Sequence, residues 1–98
     1  VAELRFEWDP RKAAANKGKH GVTFDEASMV FADEFALFMA DSEQSGDEDR
    51  FVLLGLGPSV RLLVVVHTHR EYDDVVRIIS ARRANRHERR QYTERNAP

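Results

Sequence analysis

Arg61-Leu62-Leu63-Val64-Val65-Val66-His67-Thr68 is the strongest strand signal in the chain. β-Branched and leucine side chains fit a pleated surface, and the run holds no Gly or Pro to break it. Its apolar residues are continuous rather than alternating, which predicts a central strand covered on at least part of both faces. A polar turn over 70–74 leads to another strand over 75–81, Val75-Val76-Arg77-Ile78-Ile79-Ser80-Ala81. Upstream, 50–57 reads as a strand closed by the turn Gly57-Pro58-Ser59. The short apolar run 35–40 reads as a further strand, and the acidic, Gly46-containing segment 41–49 as a loop. Short links between these strands predict an antiparallel meander.

The N-terminal third supplies the helices. Leu4-Arg5-Phe6-Glu7-Trp8 alternates, with Leu4, Phe6 and Trp8 on one face, and predicts a short strand with Trp8 in the core. Asp9 suits an N-cap and Pro10 the first helical position, so a helix runs from there to about Lys19. Gly21 can stop it in the left-handed conformation. Thr23-Phe24-Asp25-Glu26 is a capping box and opens a second helix over 24–32. Phe24, Ala27, Val30 and Phe31 form its apolar stripe. Asn85-Arg86-His87-Glu88 repeats the capping pattern and opens a third helix ending near Arg95. The predicted order is β-α-α-β-β-β-β-α, an α+β domain with the two N-terminal helices packed on one face of the sheet.

Length and composition bound the function. A chain of 98 residues predicts one domain over 1–98 with one modest core and a surface site rather than a deep cofactor cavity. There is no cysteine, which excludes disulfides, a thiolate nucleophile and cysteine-built zinc sites. No apolar run is long enough to span a membrane, and the first residues have no signal-peptide pattern, so a cytoplasmic location is expected. The net charge of −2 hides two opposed blocks. Residues 25–49 carry nine carboxylates and no Lys or Arg. Residues 77–98 carry seven arginines and no lysine, against Glu88 and Glu94. Guanidinium forks match phosphate and carboxylate and stack on bases, so the C-terminal block suits a nucleic acid or an acidic partner.

Within that block Arg86, Arg89 and Arg90 share one helix face, and Arg82 and Arg83 lead into it from the last strand. The third helix has little to bury beyond Ala84, Tyr92 and arginine stems. By alternation, Arg77 faces one way along its strand while Ser80 and Arg82 face the other. His67 and His69 face the same side, but no third ligand lies near them in sequence, so no metal site and no cofactor are expected. Two readings of the ridge stand side by side: a solvated, salt-bridged helix face, and a non-enzymatic module that holds nucleic acid or an acidic partner on its arginines.

Several ordered motifs carry a family resemblance. Phe6-Glu7-Trp8-Asp9-Pro10, Lys12-Ala13-Ala14-Ala15-Asn16 and Lys19-His20-Gly21-Val22-Thr23-Phe24-Asp25-Glu26-Ala27 come first. Phe31-Ala32-Asp33, Arg50-Phe51, Leu62-Leu63-Val64-Val65-Val66-His67-Thr68 and Arg77-Ile78-Ile79-Ser80-Ala81-Arg82-Arg83-Ala84 follow, then Glu88-Arg89-Arg90-Gln91-Tyr92. Together they resemble the BrnT toxins over nearly the whole chain. The resemblance implies a RelE-like fold and a type II toxin that cleaves RNA and blocks protein synthesis. It also implies a BrnA-type ribbon-helix-helix antitoxin, whose complex with the toxin represses its own operon. Metal-independent RNA cleavage needs a base for the 2′-hydroxyl and cations for the phosphate. The expected site is His67 for proton transfer with Arg77, Arg82 and Arg83 on phosphate. Arg50, Arg86 and Tyr92 are expected to position RNA, and Arg86, Arg89, Arg90 and Tyr92 to meet the antitoxin.

Overall fold

The computed structural model describes residues 3–39, 50–70 and 74–98. The loop expected over 41–49 and most of the turn expected over 70–74 lie outside them. The elements are β1 (Arg5–Glu7), α1 (Pro10–His20), α2 (Phe24–Met29), a 3-10 turn (Val30–Ala32), β2 (Leu37–Met39), β3 (Phe51–Leu56), β4 (Leu62–Arg70), β5 (Val75–Arg83) and α3 (Arg86–Arg95). They form an α+β fold around one five-stranded sheet in the order β1-β5-β4-β3-β2.

Local chemistry sets the helix ends. The Asp9 side chain accepts from the Arg11 N–H at 2.8 Å, and Gly21 closes α1 at φ 68°. Thr23 and Glu26 cap α2 reciprocally, as do Asn85 and Glu88 at α3. The second helix is shorter than its apolar stripe predicts, because its last turn tightens to 3-10 at Val30–Ala32. That turn lies close to β3 at Gly55, where a Cβ would sit 2.7 Å from Val30 Cγ1. Only glycine admits this approach.

Strands β2 to β5 form the expected meander, with β4 between β3 and β5. The sheet as a whole is mixed, not antiparallel, because β1 runs parallel to β5, with Phe6 opposite Val76 and Glu7 opposite Arg77. No short hairpin ties β1 to a neighbour. Its direction is set by α1 and α2, which leave its end and cross one sheet face.

Strand β5 departs from strict alternation. Ser80 pairs with Val66 and Ile78 with His67, which leaves Ile79 as the extra residue of a β-bulge. Strict alternation would separate Arg77 from Ser80 and Arg82. The bulge restores the phase, so all three share a face with Val64, Val66 and Thr68.

The two faces bury different cores. Under α1 and α2 lie Val22, Phe24, Ala27, Val30, Leu53, Leu63, Val65, Val76, Ile78 and Ala81. Trp8 packs edge-on to Phe24 at 5.9 Å beside them. On the second face Val52, Leu54, Val64 and Ala84 are buried, with Tyr92 of α3 packed on them. Buried Asn16 stitches α1 to β5: its Nδ2 donates to the Ala81 carbonyl at 2.8 Å and its Oδ1 accepts from the Ala81 N–H at 3.1 Å.

Candidate active site

The second face carries a row of polar side chains across three strands. Arg77 on β5 lies between Glu7 on β1 and Thr68 on β4. Arg77 Nη1 donates to Glu7 Oε2 at 3.0 Å, and these side chains are 34% and 39% exposed. Thr68 is buried, and its Oγ1 has no hydrogen-bond partner among the described residues. Phe51 pairs with His67 on the helix side, so Arg50, one residue earlier, continues the Thr68 row. Arg50 is half-buried, and its Nε has no hydrogen-bond partner among the described residues. One carboxylate, two guanidinium groups and a hydroxyl thus share one end of the face.

Arg82 lies on the same face, farther along β5, but its charge is engaged. Nη1 and Nη2 donate to Glu88 Oε1 and Oε2, both at 2.8 Å. Hydrogen bonds from Arg82 hold the Glu88 carboxyl below the usual carboxylate range, outweighing its burial. This fork-to-fork pair ties α3 to β5. Tyr92 adds a second tie, donating to Asp33 Oδ2 at 2.8 Å. Burial, then the Asp33 carboxylate, push the Tyr92 hydroxyl up to about 12. Burial would raise Asp33 too, but N–H donors from Leu56 and Phe35 and the Tyr92 hydroxyl outweigh it, and the carboxyl stays low. A helix with almost nothing apolar to bury is therefore docked by charge-assisted hydrogen bonds.

His67 lies elsewhere. It is fully buried on the helix side, 4.8 Å edge-on from the Phe31 ring and 5.1 Å from the His69 ring. Its Nδ1 is 3.3 Å from the Val65 carbonyl and its Nε2 has no partner among the described residues. Burial, reinforced by His69, lowers its pKa to about 4 against the Val65 contact, so the ring is neutral at pH 7. The sheet separates it from Arg77 and Arg82.

Arg83 pairs with Leu63 and so belongs to the helix side, exposed at the end of the sheet. Arg86, Arg89 and Arg90 are exposed on α3. The structure thus brings Arg77 together with Arg50, ties Arg82 into the scaffold, and keeps His67 and Arg83 apart from them. Glu7 and Thr68 escaped the sequence reading. Glu7 carried a signal in the β1 alternation, opposite Phe6, but its neighbour Arg77 is seventy residues away. Among the described residues, no group of three or more His, Cys, Asp or Glu could hold a metal ion. No helix among them is long and apolar enough to cross a membrane.

A family model described as the ribonuclease toxin BrnT of a type II toxin–antitoxin system matches residues 8–88. The chain belongs to the BrnT toxin family. The matched span takes in Arg50, Thr68, Arg77, Arg82 and Glu88 and begins one residue after Glu7. A solved structure has the same fold: the 1.1 Å crystal structure of the Brucella abortus ribonuclease toxin BrnT. It is 20% identical, with a TM-score of 0.65, over 85% of this chain and 99% of that one. No curated protein matches the sequence. Membership in the BrnT family brings with it a type II toxin–antitoxin system, and so an antitoxin partner.

Proposed function

We propose that this BrnT-family chain is a metal-independent endoribonuclease, one functional unit over 1–98 with a RelE-like architecture, whose cleavage centre is the Glu7–Arg77 row. The observation that carries the reading is the carboxylate–guanidinium pair on an accessible sheet face in a chain of a ribonuclease-toxin family. Glu7 takes the proton from a ribose 2′-hydroxyl, and that oxygen attacks the adjacent phosphorus. Arg77 and Arg50 stabilise the charge that builds on the phosphate. The bond to the 5′-oxygen breaks, and water on the exposed side returns a proton to it. The products are a 2′,3′-cyclic phosphate and a 5′-hydroxyl.

The other expected site residues take supporting roles. His67, sealed and neutral, fixes the strand from which Thr68 projects. Arg82 holds α3 in place through Glu88. Exposed Arg86 and Arg90, with Tyr92 beside them, suit an acidic and apolar segment of a BrnA-type antitoxin. Cleavage of cytoplasmic RNA accounts for arrest of translation.

Purified protein should cleave RNA in EDTA and leave 2′,3′-cyclic phosphate ends, read by end-group analysis of the fragments. Activity lost on chelation and restored by a divalent ion would overturn the metal-free mechanism. Tight RNA binding with no cleavage would favour the binding-module reading instead.

A further inference from the structure

A second basic site lies at the opposite end of the sheet from the Glu7–Arg77 row. A cleft of about 480 Å³ is lined by Val60, Arg61, Leu62, Arg83, Ala84 and Arg89. Its three arginines come from three elements: the turn before β4, the end of β5, and α3. Each is placed differently. Arg61 is oriented by Glu26 Oε2 at 3.3 Å and by the Gly21 carbonyl at 3.4 Å, and its buried Nε has no hydrogen-bond partner among the described residues. Arg89 Nη1 donates to the Ala84 carbonyl at 2.9 Å. Arg83 is exposed, and its guanidinium has no partner among the described residues. Glu26 offsets one of the three charges, which leaves the cleft cationic.

The turn that shapes one wall is strained. Ser59 and Val60 both have positive φ, 62° and 57°. For a β-branched residue this is an outlier, and such conformations concentrate at sites that bind or switch. The Gly57 N–H donates to the Arg61 carbonyl at 2.8 Å and closes the turn, holding Val60 82% exposed at the cleft.

We propose that this cleft binds a backbone phosphate of the RNA outside the scissile step. This rests on the ribonuclease reading above. Forks arriving from three directions suit the several oxygens of a tetrahedral phosphate, whereas a planar carboxylate is satisfied by one fork. Five residues of β4 separate Thr68 from Leu63, the partner of Arg83, or about 17 Å along the strand. The cleft therefore holds a phosphate a few nucleotides away from the scissile one and takes no part in the chemistry.

The test is fluorescence anisotropy with a 2′-O-methyl RNA oligonucleotide long enough to span the sheet, titrated at several salt concentrations. This probe has no 2′-hydroxyl and cannot be cleaved. Arg83→Gln and Arg61→Gln should each weaken binding about tenfold. Each should also reduce the slope of log affinity against log salt by about 0.7, one phosphate contact on a single strand. Lys12→Gln on α1 removes a charge far from the cleft and should leave the slope unchanged. Arg83 is exposed and its side chain makes no hydrogen bond or ion pair among the described residues, so its variant keeps the test valid if Arg61→Gln is unstable. Wild-type affinity and slope in Arg83→Gln would overturn the cleft and leave the ribonuclease reading standing. Wild-type protein that fails to bind the oligonucleotide would overturn both. Variants that keep RNA but lose the antitoxin would assign the cleft to a protein partner and overturn the proposal.

Discussion

Arg77→Gln is expected to slow RNA cleavage by about a hundred- to a thousand-fold with the fold intact. Removing one preorganised donor from a site of developing charge typically has an effect of this size. Glutamine keeps a polar, unbranched side chain, so the stem packing that alanine would remove is largely preserved. Glu7→Gln is nearly isosteric and should reduce kcat by roughly a hundred-fold or more, the usual contribution of a general base. Because Glu7 and Arg77 touch at 3.0 Å, the double variant should be little worse than either single variant. Initial rates on one RNA substrate, with thermal melts alongside, decide the matter. A folded Arg77→Gln protein that cleaves at the wild-type rate would remove Arg77 from the site.

Acidification is expected to destabilise the protein through His67. The unfolded chain takes up a proton at this histidine below its ordinary value near 6.5, whereas the folded protein resists until about 4. Above pH 7 the group is neutral in both states and has no effect. Between those two values the unfolded state binds more protons, so stability falls with pH, and below about 4 the loss from this group levels off. From pH 7 to pH 5 the loss should be about 2 kcal/mol. Urea unfolding of wild type and His67→Phe at the two pH values isolates it, because the phenylalanine ring cannot titrate. The variant should lose about 2 kcal/mol less than wild type over that interval. Equal losses would mean that His67 is not held neutral in the folded state. That interval also avoids Asp33 and Glu88, whose carboxyls are held low and titrate at more acid pH.

What the sequence reveals and what it hides follow from the range of the interactions. Caps are local, so Asp9-Pro10, Thr23–Glu26 and Asn85–Glu88 mark the helix starts within a residue. The valine run and its neighbours mark the strands, since side-chain type and short connections decide both identity and pairing. The direction of β1 is not local, because it depends on how far two helices carry the chain before it returns. The bulge at Ile79 is a matter of ladder register and has no composition of its own. One inserted residue is enough to move Arg77 onto the face of Ser80 and Arg82. His67 shows the complementary difficulty. A histidine at the end of an apolar strand reads as a reagent, and only the rings of Phe31, Phe51 and His69 reveal that it is sealed.

The most direct test of the cleavage face is a methyl NMR titration with a non-cleavable 2′-O-methyl oligonucleotide. Methyl groups report the two sheet faces separately, since Val66 and Thr68 lie with Arg77 on the second face. Val65 and Ile78 lie under α1 and α2. RNA seated on the Glu7–Arg77 row should shift the Val66 and Thr68 methyls strongly and leave those of Val65 and Ile78 nearly unmoved. Shifts confined to the helix side, with Val66 and Thr68 unchanged at saturation, would contradict the assignment of the site.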